Sequence, residues 1–122
     1  MFYGCTSLIE AQELPATTLA TSCYSCMFQY CTSLTEAPEL PATTLASYCY
    51  YQMFYGCSNL TTAPELPATT LTNNCYTNMF YSCTSLTSIN VKFTSWHTNA
   101  TVNWVQKVSS AGTFTCPAEL PQ

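Results

Sequence analysis

Residues 53–78 read MFYGCSNLTTAPELPATTLTNNCYTN, and nearly the same line is written again on either side of them. Met1, Met27, Met53 and Met79 each open a copy, so the period is 26 residues, and no gap is needed to keep it. Phe2, Phe28, Phe54 and Phe80 fall in register, as do Cys5, Cys31, Cys57 and Cys83, and Leu8, Leu34, Leu60 and Leu86. A second block reads AQELPATTL from Ala11, then APELPATTL from Ala37 and again from Ala63. It adds the leucine ladders Leu14, Leu40, Leu66 and Leu19, Leu45, Leu71. Each copy closes on Cys-Tyr, at Cys23-Tyr24, Cys49-Tyr50 and Cys75-Tyr76.

A fixed period of this length marks stacked or arrayed units. It is too short for a propeller blade of about 40 residues or a helix pair of about 33. Pro38, Pro41, Pro64 and Pro67 would also break the helices of such a pair. One short strand and one compact return segment do fit, which is the leucine-rich-repeat plan. The strand is expected over 34–40 and its equivalents, with Leu34 and Ala37 inward. Pro38, which has no N–H to donate, marks its end. Leu45, Cys49, Met53, Cys57 and Leu60 are spaced four, four, four and three, which predicts a helical or 3-10 return with these residues on its buried face. Tyr50, Tyr51 and Tyr55 lie off that face and are expected half exposed.

The expected fold class is therefore an α/β solenoid. It is a leucine-rich-repeat stack of three to four 26-residue coils, each a short strand plus a helical or 3-10 return, with a small C-terminal α/β cap. The division falls between a repeat region, 1–90, and a capping segment, 91–122. Across that boundary, 87–93 alternates like a last strand, and beyond it Thr98 or Asn99 can cap a short helix. Val102, Val105 and Val108, with Trp104, give that helix an apolar side. Gly112 ends it, 113–116 reads as one more strand, and Trp96 and Trp104 cover the open end.

The line M-F-Y-G-C-S-N-L followed by L-P and a second C-Y resembles the BspA-like bacterial surface leucine-rich repeats. Phe54, Cys57, Leu60, Ala63 and Leu66-Pro67 stand in the places of that family's aromatic, C-x-x-L-x-x-I and L-P. The resemblance covers residues 1 to about 90 and extends into W-V-x-x-V-S-S-x-G-T-F near the C-terminus. It implies a cell-surface or secreted protein of adhesin type, in contact with a protein or glycan on a host or neighbouring cell.

Composition narrows the function further. Only 7% of residues are charged, against 48% hydrophobic and 14% aromatic. There is no Arg and no Asp, and Lys92 and Lys107 are the only cations. A net charge of −4 argues against nucleic acid, whose phosphates are held by Lys and Arg. No apolar run is long enough to insert in a membrane as a helix. The chain opens inside a repeat without a polar cap, so a piece of a longer chain is expected.

Nine cysteines leave three readings. Seven occupy the two ladders, where a free thiol packs as a small hydrophobe. Coils stacked at strand spacing also bring Cα atoms within disulfide range. Cys23 and Cys26, with Cys31, are the best metal candidates, but a lone C-x-x-C is a weak zinc signal. Free core thiols carry the most weight, and no metal or other cofactor is expected. No nucleophile, base and orienting group can be assembled around His97, the single histidine, so no catalysis is expected. Glu13, Glu39 and Glu65 form a row one coil apart. Stacked carboxylates can serve as acid and base or hold calcium, but a solvated face of the repeat is the favoured reading. Tyr50, Tyr51, Tyr55, Tyr76 and Tyr81 suit protein or sugar contacts on a rigid scaffold. The Glu row and these tyrosines are the candidate binding residues. The rival reading is a structural spacer of a larger surface or phage protein. Asn59-Leu-Thr61 and Asn99-Ala-Thr101 match glycosylation sequons.

Overall fold

The structure, a computed structural model, describes residues 2–121. Met1, read above as opening the first copy, and Gln122 lie outside the described residues. Successive copies lie directly on one another. Phe28 N–H donates to Met53 O (2.9 Å), Phe54 N–H to Met79 O (2.9 Å) and Phe80 N–H to Trp104 O (2.9 Å). Within each segment every second N–H is spent this way: those of Tyr50, Gln52, Phe54 and Gly56 reach Cys75, Thr77, Met79 and Tyr81. The N–H groups in between close tight local turns, Met53 onto Tyr50 O, Tyr55 onto Gln52 O and Cys57 onto Phe54 O.

That division overturns the expected return. No helix forms among the described residues. An α-helix needs each N–H to bond the carbonyl four residues back, and here half of them go to the next copy. The segment is instead a run of turns in which every fourth residue has a left-handed backbone. Tyr48 (φ 58°), Gln52 (54°) and Gly56 (75°) are followed one copy on by Asn74 (56°), Asn78 (55°) and Ser82 (62°). This conformation costs most L-residues about 1–2 kcal/mol each. At Gln52, Gly56, Asn78 and Ser82 the same residue gains a hydrogen bond to the neighbouring copy. The four-residue turn period sends side chains inward and outward in pairs. Cys49 and Tyr50 point in, as do Met53 and Phe54, all at 2% exposure or less.

The expected strands are also mostly absent. In the proline-containing copies the pairing shrinks to isolated parallel bridges, Glu36 with Thr62, Thr62 with Ser88 and Thr18 with Thr44. Prolines three residues apart, such as Pro64 and Pro67, delete two ladder donors from each A-P-E-L-P. A strand appears only where proline is missing. Ser88–Asn90 (β1) pairs in parallel with Thr113–Thr115 (β2), Ile89 opposite Phe114. These are the only two strands among the described residues. An α/β solenoid with helical returns and an α/β cap is therefore not what this chain builds.

The helix expected over the C-terminal segment is missing for the same reason. Asn103 (φ 52°) and Lys107 (φ 62°) repeat the left-handed positions of the earlier copies. Tyr76, Asn78, Phe80 and Ser82 donate to Ala100, Val102, Trp104 and Gln106. This stretch continues the turn run as one more layer.

The core is a set of side-chain columns running through the layers. Phe2, Phe28, Phe54 and Phe80 stack at 5.4, 5.6 and 5.7 Å with planes within 6° of parallel. Tyr24, Tyr50 and Tyr76 stack beside them at 6.0 Å. Leu34, Leu60 and Leu86 form a third column, all at 2% exposure or less.

Candidate functional site

The cysteine columns are part of this core. Cys31, Cys49, Cys57, Cys75 and Cys83 are buried, and all nine cysteines are free thiols. Cys31, Cys57 and Cys83 each donate Sγ–H to the carbonyl of Phe2, Phe28 or Phe54 in the preceding copy, at 2.9 to 3.0 Å. Burial pushes the Cys49 and Cys83 thiols up to about 12. It raises Cys57 as well, where the neighbouring thiols Cys83 and Cys31 add to the effect. Such thiols are poor nucleophiles, because the thiolate is the reactive form. The three cysteines weighed as a metal set are divided: Cys23 is exposed, Cys26 half-buried, and buried Cys31 is committed to Phe2 O. No cluster of three or more His, Cys, Asp and Glu residues suited to a metal occurs among the described residues. Alkylation of the native protein at pH 8 is expected to label Cys23 first and the five buried cysteines only after urea is added. Peptide mass mapping at timed intervals checks this. Early labelling of Cys57 or Cys83 would contradict the packing.

His97 is half-buried, and its Nδ1 accepts a hydrogen bond from Asn99 N–H at 3.3 Å, at the start of the last run of turns. Glu13, Glu39 and Glu65 are all exposed. Glu39 and Glu65 edge a shallow groove of about 380 Å³ whose floor is made largely by Pro38, Pro41, Pro64 and Pro67. Glu13 lies outside it. Lys92 Nζ sits 3.8 Å from Glu65 Oε1, with both side chains about half exposed, so the pair adds little to stability.

The tyrosines divide. Tyr50 and Tyr76 are interior, 2% and 0% exposed. The expectation that they contribute to a binding surface is corrected, because the four-residue turn period turns Cys-Tyr inward as a pair. Tyr51, Tyr55 and Tyr81 are half-buried. Two of them belong to a row along one lateral edge, Tyr3, Tyr30, Tyr55 and Tyr81, with ring centroids 5.7, 5.6 and 4.8 Å apart. Tyr3 is 61% and Tyr30 42% exposed, and Lys107 Nζ lies 5.6 Å from the centre of the Tyr81 ring. A second pair, Tyr48 and Tyr51, meets edge to face at 5.3 Å.

Sequence reasoning missed Tyr3 and Tyr30 in this row. Tyr3, Tyr55 and Tyr81 share a register, but the second copy has Gln29 there and Tyr30 one place later. The ring of Tyr30 swings into the gap across Gly56. A Cβ on Gly56 would lie 2.6 Å from Tyr30 Cδ1, and its φ of +75° also favours glycine. The one-place shift, read with the glycine in the next copy, was the available signal.

Compared with known proteins, the chain matches no family model, and neither the curated proteins nor the solved structures contain a significant match.

Proposed function

We propose that this protein is a non-catalytic binding module of a cell-surface or secreted protein, taking a protein or glycan partner along one lateral edge of its stack. The observation that carries the reading is the row Tyr3, Tyr30, Tyr55 and Tyr81. Tyrosines held by a rigid support offer large amphipathic contact area at a low entropy cost. They are enriched where proteins meet partners. The resemblance of the repeat line to BspA-like surface proteins supports the same reading. With two cations and a net charge of −4, the edge suits a neutral partner better than a polyanion. No helix among the described residues is long and apolar enough to cross a membrane.

One observation favours the rival reading of a structural spacer. The Tyr55 and Tyr81 rings stack on each other at 4.8 Å with planes 6° apart, so the row is partly satisfied by its own contacts. A variant carrying Tyr3→Ser, Tyr30→Ser, Tyr55→Ser and Tyr81→Ser separates the two. Wild type and variant are passed over surfaces coated with mucin, collagen or a neutral polysaccharide. A binding module is retained on at least one surface and released by the substitutions. Equal retention of both proteins, or none on any surface, favours the spacer.

A further inference from the structure

The last layer is offset by 25 residues rather than 26, with Ser88 opposite Thr113, so Leu34, Leu60 and Leu86 are followed by Ala111 and the leucine column stops there. Gly112 lies tight on the preceding layer: a Cβ would sit 2.5 Å from Thr87 O, which also accepts the Thr113 N–H at 2.7 Å. No side chain can enter from this backbone position. At the same end of the stack lies a recess of about 390 Å³, bounded by Leu86 and Ile89 on one side and by Trp104, Val105, Val108 and Phe114 on the others. The parallel ring columns also end here. Trp104 and Phe114 meet at 90°, and Trp96 stacks on Phe114 and is fixed by its Nε1–H donating to Pro121 O at 2.7 Å.

We infer that this recess is a binding site for one small, neutral, ring-shaped apolar molecule, independent of the tyrosine edge. Three features select that occupant. No lining residue is ionisable, so a charged ligand would be desolvated without a partner. The lining is chiefly aliphatic and aromatic. Thr87, Ser88, Ser109, Ser110 and Thr113 are its hydroxyl-bearing residues, but most of the lining surface is apolar, which fits a ligand with few polar atoms rather than a sugar's full set. The volume sits near the lower end of the roughly 300–1,000 Å³ typical of small-molecule sites, enough for a single ring system. The two rings set at right angles offer a flat face and an edge to an aromatic guest.

Both tryptophans of the chain line the recess, so their emission reports its contents. The whole protein is titrated with toluene, with benzoate as the same ring bearing a charge, and with glucose as the hydroxyl-rich alternative. Toluene is expected to change the emission saturably at millimolar concentration or below and to raise Tm. Benzoate is expected to bind at least about tenfold more weakly, and glucose not at all. Val108→Phe and, separately, Ser109→Leu narrow the recess, and each is expected to abolish the toluene response while circular dichroism stays unchanged. If one variant fails to fold, the other carries the test. A linear, non-saturating response to toluene overturns the proposal, as does an equal response in a folded, narrowed variant. Saturation by glucose or by benzoate in preference to toluene overturns it too.

Discussion

Replacing Phe54 by alanine is expected to destabilise the protein by about 5 kcal/mol. Truncating a buried phenylalanine typically costs about 3–5 kcal/mol, and Phe54 is 0% exposed. Its ring also lies between two others, Phe28 at 5.6 Å and Phe80 at 5.7 Å, and each aromatic pair contributes roughly 0.5–1.5 kcal/mol beyond area burial. Phe2 is half-buried and stacks on Phe28, with no ring recorded on its other side among the described residues. Phe2→Ala should therefore cost less than half as much. In a stack whose layers touch only their neighbours, stability is close to a sum of layer and interface terms. A central truncation removes two interfaces and a terminal one removes one. Urea denaturation of both variants, with Phe54→Leu in reserve should Phe54→Ala not fold, measures the difference. Equal costs at positions 2 and 54 would show that ring stacking contributes little.

Raising the pH above 9 is expected to unfold the protein cooperatively, with a midpoint near pH 10.5. The buried thiols set the sign. Burial holds Cys49 and Cys83 at about 12 and raises Cys57 and Cys75 from an ordinary value of 9.0. Above pH 9 the unfolded chain releases these protons while the native chain keeps them. The native state then binds more protons, and stability falls as pH rises. Below pH 9 both states are protonated and the contribution is intact. Each thiol that burial holds well above this range costs about 1.4 kcal/mol per pH unit, so Cys49, Cys57 and Cys83 cost roughly 4 kcal/mol per unit, and Cys75 adds in the same direction. Total stability of a domain is on the order of 5–15 kcal/mol, so little more than one pH unit exhausts the low end of that range. Above pH 10, Tyr50 and Tyr76 act in the same direction, because burial first and nearby thiols second raise both phenols. Urea midpoints at pH 8, 9 and 10, under a thiol reductant, read the slope. Cys57→Ala combined with Cys83→Ala should roughly halve it. A urea midpoint that does not move up to pH 10.5 would mean the thiols are not protected as the packing requires.

Much of the local pattern that misled the helical reading was visible in the sequence. A helix turns about 100° per residue, so a strict spacing of four drifts about 40° per step. Leu45, Cys49, Met53 and Cys57 would wind about 120° around a helix and leave a single face. The apolar residues also come in pairs separated by polar or half-exposed pairs, Cys49-Tyr50, then Met53-Phe54, then Cys57. A run of four-residue turns places both members of each pair inside. That accounts for the burial of Tyr50 and Tyr76, which helical geometry puts off the buried face. The prolines were read as shortening the strands, and their full effect was larger, reducing pairing to single bridges in the copies that carry them. The C-terminal layer was harder to read, since Trp104-Val105 is its one apolar pair in the register of Met79-Phe80. Its left-handed positions, Asn103 and Lys107, carry no glycine to announce them.

Read alone, the sequence determined the 26-residue period, the inward columns of Phe, Cys and Leu, and the scarcity of charge. These follow from composition and register, because identical side chains one period apart must share one environment. What only the tertiary structure decided is where the backbone hydrogen bonds go. An isolated segment has no neighbour to receive every second N–H, and its choice between helix and turns is settled only when the next copy presents a row of carbonyls. The tyrosine edge and the recess beyond Leu86 are likewise properties of layers in contact. Tyr30 leaning over Gly56 and Gly112 lying against Thr87 involve residues 26 and 25 positions apart, which no local pattern brings together.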